Sequence, residues 1–131
     1  MNDFEAVIFD MDGVIVDSEP LHEQAFRVVF DEMGYGDSHG IDFPAYYGRS
    51  DATLWHDFIA RHRPPHSFER LMDWKQDVFL GMLRARRPVF PPVPGLVERL
   101  AGRYPLAVAS GSVNRVIDAV MELEGLGRHF R

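Results

Sequence analysis

Cysteine is absent from the 131-residue sequence, which removes disulfide staples and thiolate zinc sites and fits a reducing, cytoplasmic setting. No apolar run approaches the ~20 residues that span a bilayer, so no membrane partner is expected. The opening Met1-Asn2-Asp3-Phe4-Glu5 is acidic where a secretory leader would be basic, and no signal peptide is read there. Basic charge is in short supply. Lys and Arg number 14 against 20 Asp and Glu, a formal charge of -6, whereas a general nucleic-acid binder usually presents a basic face. Internal repeats and low-complexity segments are also missing. What is present is 46% hydrophobic and 26% charged residues, the balance of a globular protein. The length suits one ordinary domain, or a small core carrying an insertion.

Ala6-Val7-Ile8-Phe9 is a β-branched and aromatic run ending at an aspartate, and reads as a buried strand. Asp10 to Pro20 reads as a loop. Leu21, Ala25, Phe26, Val29, Phe30 and Met33 then recur at helical spacing. Ser18 can cap this helix, Pro20 suits its first turn and Gly34 its end. Tyr35 to Tyr47 is a Gly, Asp, Ser and His connector. Two further helices are predicted, from Ser50 or Asp51 and from near Ser67, with Arg63-Pro64-Pro65 breaking them apart. Pro88-Val89-Phe90-Pro91-Pro92-Val93-Pro94-Gly95 is the strongest boundary signal in the chain. Beyond it are predicted a short helix from Leu96 to Arg103, a strand Leu106-Ala107-Val108-Ala109, a Ser110-Gly111-Ser112 turn and a last helix with Val116, Ile117, Val120 and Met121. Helices between strands predict an α/β protein with a parallel sheet.

Asp10 and Asp12 stand at the carboxyl end of the first strand, where open α/β sheets place their ligands, and Gly13 lets the backbone turn at once. One carboxylate of such a pair can attack phosphorus to form an aspartyl-phosphate. Its neighbour can protonate the leaving oxygen and later deprotonate water. An anionic nucleophile approaching an anionic phosphate calls for a divalent cation, and hard oxygen ligands suit Mg²⁺. Asp-x-Asp alone is commonly just a pair of turn residues, so the flanking residues decide.

Those residues, Asp10-Met11-Asp12-Gly13-Val14-Ile15-Val16-Asp17-Ser18-Glu19-Pro20, resemble the first motif of the haloacid dehalogenase superfamily, in its phosphoglycolate phosphatase and β-phosphoglucomutase branch. Five fixed residue types at ~5–7% usage each match by chance on the order of once in a million start positions. The resemblance implies a Rossmann-like parallel-sheet core, residues 1–17 and 91–131, with an inserted α-helical cap domain, 18–90, that closes over the site and selects the substrate. It implies Asp10 as nucleophile and Mg²⁺ ligand, and Asp12 as acid/base with its carbonyl on the metal. The amides of Met11 and Asp12 would hold phosphoryl oxygens. Ser110, with Gly111, matches the second motif, a phosphate contact at the end of the next strand. Gly48-Arg49-Ser50 resembles the substrate-specificity loop, and Lys75 falls where mutase-like members carry a phosphate-contacting lysine. His22 and Asn114 match polar positions near the site. Each also has a structural alternative: His22 on a helix surface, Lys75 as a solvated charge, Asn114 as a cap. His56, His62 and His66 invite a zinc reading, but no fourth ligand accompanies them and surface positions suit them better.

The same resemblance implies a C-terminal truncation, because the sequence stops at Gly127-Arg128-His129-Phe130-Arg131 before the family's third-motif lysine and fourth-motif acidic pair. The two expected strands would leave an open edge through which copies could self-associate. The expected activity is a Mg²⁺-dependent phosphatase acting on a small phosphorylated metabolite. A sugar phosphomutase is the first alternative, disfavoured by Asp51 at the position where mutases carry arginine. A catalytically incomplete fragment acting as a binding or structural module is the second.

Overall fold

A computed structural model describes residues 4–131, so the expected core segment 1–17 is described from Phe4 onward. Among the described residues the element order is β1 (Val7–Asp10), α1 (Glu19–Glu32), α2 (Asp51–His62), α3 (Phe68–Arg86), α4 (Val93–Ala101), β2 (Leu106–Ala109) and α5 (Asn114–Glu122). Short 3₁₀ turns cover Gly36–His39, Phe43–Tyr46 and Leu123–His129. β1 and β2 pair in parallel, Val7 opposite Leu106 and Asp10 opposite Ala109. A parallel pair demands a long crossover, and four helices fill it. This is the α/β architecture that the residue pattern predicted.

Local chemistry explains the element boundaries. Ser50 caps α2 by accepting the Thr53 amide, and Arg63 closes it in the left-handed region at φ 46° before the two prolines. Ser67 Oγ accepts the Arg70 amide at the start of α3. Two expectations need correction. The helix predicted from Leu96 begins at Val93 and includes Pro94 and Gly95. Proline is tolerated there because first-turn amides have no intrahelical acceptor. The supposed loop after β1 also carries more order than its composition suggests. Ile15 and Val16 are fully buried, Val16 bridges Val89 antiparallel, and the Asp17 amide donates to Pro88 O while Phe90 N donates to Ile15 O. The proline-rich segment thus supplies one carbonyl acceptor, Pro88 O, and one amide donor, Phe90 N, to a short ribbon. At the far end of the sequence Phe130 bridges Leu106 and packs edge-on against Phe9, ring centroids 5.8 Å apart.

The chain divides into two compact units, one running to Leu21 and resuming at Met82–Arg131, the other His22–Gly81. The first packs Phe9, Met11, Val97, Leu106, Val116, Val120 and Leu126 as its buried apolar residues. In the same unit Ile8 of β1 is 68% exposed. The second is built on an aromatic cluster in which Phe26, Phe30, Phe43, Trp55 and Phe58 are all buried. Phe30 stacks on Phe58 at 4.9 Å and meets Trp55 edge-on at 5.5 Å. Residues read as a plain connector feed this cluster: Phe43 is buried in it and Tyr35 and Ile41 pack against it.

Candidate active site

Asp10 ends β1 with its residue exposed, and its Oδ1 accepts the Met11 amide at 2.8 Å. Met11 itself is fully buried. The chain then reverses: Gly13 sits at φ 79°, a left-handed conformation that costs other residues roughly 1–2 kcal/mol, and the Ile15 amide returns to Met11 O at 2.9 Å. This turn presents Asp12 between two hydroxyls. Ser18 Oγ donates to Oδ1 at 2.6 Å, and Ser112 Oγ donates to Oδ2 at 3.2 Å. Bonds to both oxygens fix the plane of the carboxylate while the Asp12 residue stays exposed.

The strand register brings the second loop here. Asp10 lies opposite Ala109, so Ser110 leaves β2 level with the departure of Met11 from β1. Ser110 Oγ accepts the Ser112 amide at 3.1 Å, and this tight turn aims the Ser112 hydroxyl at Asp12. Gly111 is exposed on the turn, and Asn114 is exposed as the first residue of α5. Two contributors escaped the reading of the sequence. The sequence position of Ser18 suits a helix cap, yet the residue is buried and its hydroxyl turned to Asp12. The sequence marks Ser112 only as part of the turn. The available signal for Ser18 was its place in the motif, six residues after Asp12.

The remaining nominated residues belong to the His22–Gly81 unit. Lys75 is not the solvated charge of the alternative reading: it is 0% exposed, with Nζ 2.7 Å from Asp51 Oδ2 and 2.6 Å from His22 Nδ1. His22 also meets Phe79 edge-on at 4.1 Å. Arg49 is exposed, its guanidinium 6.0 Å from the Tyr46 ring centroid. Tyr46 donates to Asp57 Oδ2 at 2.5 Å, and this bond, with burial second, holds the phenol above its ordinary value of 10.0. His56 stacks flat on Phe68 at 4.3 Å. His62 and His66 are half-buried rather than at the surface, His62 packing on Phe58 and His66 on Trp74.

Among the described residues no group of three His, Cys, Asp or Glu side chains could hold a metal. Asp10 and Asp12 offer hard oxygens of the kind Mg²⁺ takes, so the donor chemistry fits that ion with two protein ligands. A cavity of about 470 Å³ lined by Arg103, Tyr104, Arg128 and His129, among others, sits at the amino end of β2, the opposite end of the strands from Asp10.

One family model, haloacid dehalogenase-like hydrolase, matches the sequence over residues 4–131. The chain belongs to this family. Fructose-1-phosphate phosphatase YqaB of Escherichia coli is 28% identical over 97% of the chain and 66% of its own length. A family IA, variant 3 haloacid dehalogenase-like hydrolase of Entamoeba histolytica superposes with a TM-score of 0.80 at 18% identity, covering 98% of this chain and 58% of that one. The β-phosphoglucomutase of Clostridium difficile gives 0.70 at 21% identity, covering 97% and 59%. These two likenesses concern the fold. The chain spans slightly less than two thirds of the length of the curated relatives that it matches almost end to end. Within this haloacid dehalogenase-like hydrolase the motif geometry is therefore carried by the Met82–Arg131 segment and the residues up to Leu21, in one compact unit.

Proposed function

We propose that the chain carries the nucleophile and acid/base of a phosphatase that acts on a small phosphorylated metabolite in the cytoplasm. The observation that carries this reading is the strand-end pair: an exposed Asp10, and two residues later an Asp12 held by Ser18 and Ser112. An Asp10 carboxylate oxygen attacks phosphorus as the ester P–O bond breaks, giving an aspartyl-phosphate. Asp12, carrying a proton, passes it to the leaving oxygen and then takes one from the water that attacks phosphorus. The aspartyl P–O bond breaks, phosphate leaves and Asp10 is regenerated. The hydroxyls of Ser18 and Ser112 orient Asp12, and Ser110, Gly111 and Asn114 lie on the turn and helix start from which phosphate oxygens would be bound.

The Asp10 carboxylate and the Asp12 carbonyl would hold Mg²⁺, which when bound neutralises phosphoryl charge. A Bacillus subtilis haloacid dehalogenase-like hydrolase of similar fold is described as bound to magnesium. The His22–Gly81 unit would serve as the substrate-selecting cap, with Arg49, His22 and Lys75 as its polar residues. The likeness to a fructose-1-phosphate phosphatase makes a sugar phosphate the first substrate class to assay. A phosphomutase is the second reading, and Asp51 paired with Lys75 argues against it.

The test is hydrolysis of p-nitrophenyl phosphate and of hexose phosphates with Mg²⁺, by the wild type and by Asp10→Asn. The near-isosteric change should leave the far-UV spectrum intact and remove nearly all turnover. Activity retained within about tenfold, a barrier change of only ~1.4 kcal/mol, would refute Asp10 as nucleophile. Glucose 6-phosphate appearing from glucose 1-phosphate would instead favour the mutase.

A further inference from the structure

The cavity at the amino end of β2 is lined by charge of one sign. Its walls come from two segments of the same compact unit, the corner 101–105 between α4 and β2 and the segment 128–131. Arg103, Arg128 and Arg131 line it, and among the described residues no aspartate or glutamate does. The chain as a whole carries a formal charge of -6, so an acid-free concavity runs against its average. Other cations are matched: Arg27 by Glu23 at 3.6 Å, Lys75 by Asp51 at 2.7 Å and Arg87 by Glu124 at 2.9 Å. Among the described residues none of the three cavity arginines forms such a pair.

Both segments are tied down by backbone bonds. The Arg103 and Tyr104 amides donate to Leu100 O at 3.0 and 2.8 Å, and the Arg131 amide donates to Leu106 O at 2.9 Å. Arg128 is oriented further: a guanidinium only donates, and its Nε gives a hydrogen bond to His129 Nε2 at 3.2 Å. The same guanidinium lies over Gly125, where an added Cβ would come within 3.2 Å of Nη1. Like charges gathered in one concavity repel one another, and an anion that bridges them turns repulsion into attraction. Each guanidinium presents a planar fork that meets two phosphate oxygens at once. A lone carboxylate offers two oxygens, whereas a diphosphate group offers enough linked anionic oxygens for several forks. The volume of about 470 Å³ lies within the roughly 300–1,000 Å³ of small-molecule sites. An extended polyanion such as a nucleic acid is disfavoured by the net charge of -6.

We propose that this cavity is a binding site for the diphosphate group of a small molecule, with Arg103 and Arg128 as its anchors and Arg131 at its wall. The site lies at the opposite end of the strands from Asp10 and Asp12, within the one unit that contains both. It therefore stands or falls independently of the phosphatase reading above. Removing one anchor takes away a charge-assisted fork, while removing an arginine elsewhere takes away the same net charge and no contact.

The experiment is calorimetric titration of inorganic pyrophosphate, ADP and sulfate into the 131-residue chain. Divalent cations are left out, so that the strand-end aspartates repel all three anions. The proteins are the wild type, Arg103→Gln, Arg128→Gln, Arg128→Lys, the double variant Arg103→Gln/Arg128→Gln and, as a control for net charge, Arg84→Gln at an exposed position of α3. Pyrophosphate or ADP should bind the wild type more tightly than sulfate does. Each single glutamine variant in the cavity should weaken that binding roughly tenfold, and the double variant should abolish it. Arg128→Lys, which keeps the charge and loses the fork, should fall in between, and Arg84→Gln should shift the affinity less than about twofold. Arg103 and Arg128 are exposed, so far-UV spectra should be unchanged; should one variant fail to fold, the other and the control decide. Tighter binding of ADP than of pyrophosphate supports the site with a nucleotide-borne diphosphate, and equal or weaker binding of ADP supports it with free diphosphate. Sulfate binding as tightly as either, no binding of either diphosphate, binding retained in the double variant, or an equal loss in Arg84→Gln overturns the proposal.

Discussion

Removing the Ser18 hydroxyl should cost stability in a way that depends on Asp12. Ser18 is 1% exposed and donates to Asp12 Oδ1 at 2.6 Å. A hydrogen bond to an ionised acceptor contributes about 1.5–3 kcal/mol when protected. Asp12 is exposed, so water competes for its oxygen, and roughly half of that range should survive. A double-mutant cycle of Ser18→Ala and Asp12→Ala should therefore give a coupling of about 1 kcal/mol. Unfolding entropy near 2.1 cal/mol/K per residue over 131 residues sums to about 275 cal/mol/K, so this coupling corresponds to about 4 °C in Tm. Both tryptophans, Trp55 and Trp74, lie in the His22–Gly81 unit, whereas Ser18 and Asp12 do not. Urea unfolding followed by far-UV circular dichroism is accordingly the suitable assay. Single substitutions that add to within 0.3 kcal/mol of the double variant would refute a Ser18–Asp12 bond that matters to the fold.

Asp12→Ala should penalise alkyl phosphates more than p-nitrophenyl phosphate, because a poor leaving group needs the proton most; equal loss on both would assign Asp12 a structural or metal-positioning role. Phe30→Ala, in a fully buried ring that stacks on Phe58 and His39, should cost about 3–5 kcal/mol, while Phe4→Ala at a 72% exposed position should move the urea midpoint little. His39 is held below its ordinary value of 6.5 by burial first and by the charge of Arg27 second, and its Nδ1 accepts the Ile41 amide at 2.9 Å. The folded chain thus takes up that proton less readily than the unfolded one, so the contribution of His39 is full above about pH 6.5 and falls as the pH drops below it. The urea midpoint should fall more between about pH 8 and pH 5.5 in the wild type than in His39→Asn, which retains an acceptor but does not titrate; identical slopes would dismiss His39 as the source.

The features that were legible in the sequence are those set by neighbouring residues. The strands came from short β-branched runs. The start of α2 came from Ser50, whose side chain accepts the Thr53 amide three positions on, and the Asp10–Asp12 loop came from a dense local motif. What was not legible depends on distant partners or on position within an element. The 92–95 run reads as a breaker, yet Pro94 falls in the first helical turn, where its missing amide has no consequence. Burial of Lys75 is unreadable because its partners are His22 and Asp51, 53 and 24 residues away. Ser18 could cap α1 or bond Asp12, and only the fold of the 10–18 loop chooses between them. Phe43 of the connector carries no periodicity, but the aromatic cluster buries it.

The charges at the strand end explain why the proposed chemistry would draw on a bound divalent cation. Asp10 and Asp12 bring up to two negative charges to the strand end, and a phosphate monoester adds further anionic oxygens. At about 4 Å and an effective dielectric near 20, each like-charge pair opposes approach by about 4 kcal/mol. Hydroxyls from Ser18 and Ser112 orient Asp12 but bring no charge to offset this repulsion. Arg87, in the same unit, is paired to Glu124 at 2.9 Å. Backbone amides and the start of α5 contribute only partial charges. A hard divalent ion, if held by the Asp10 carboxylate and the Asp12 carbonyl as proposed, would supply positive charge against this repulsion.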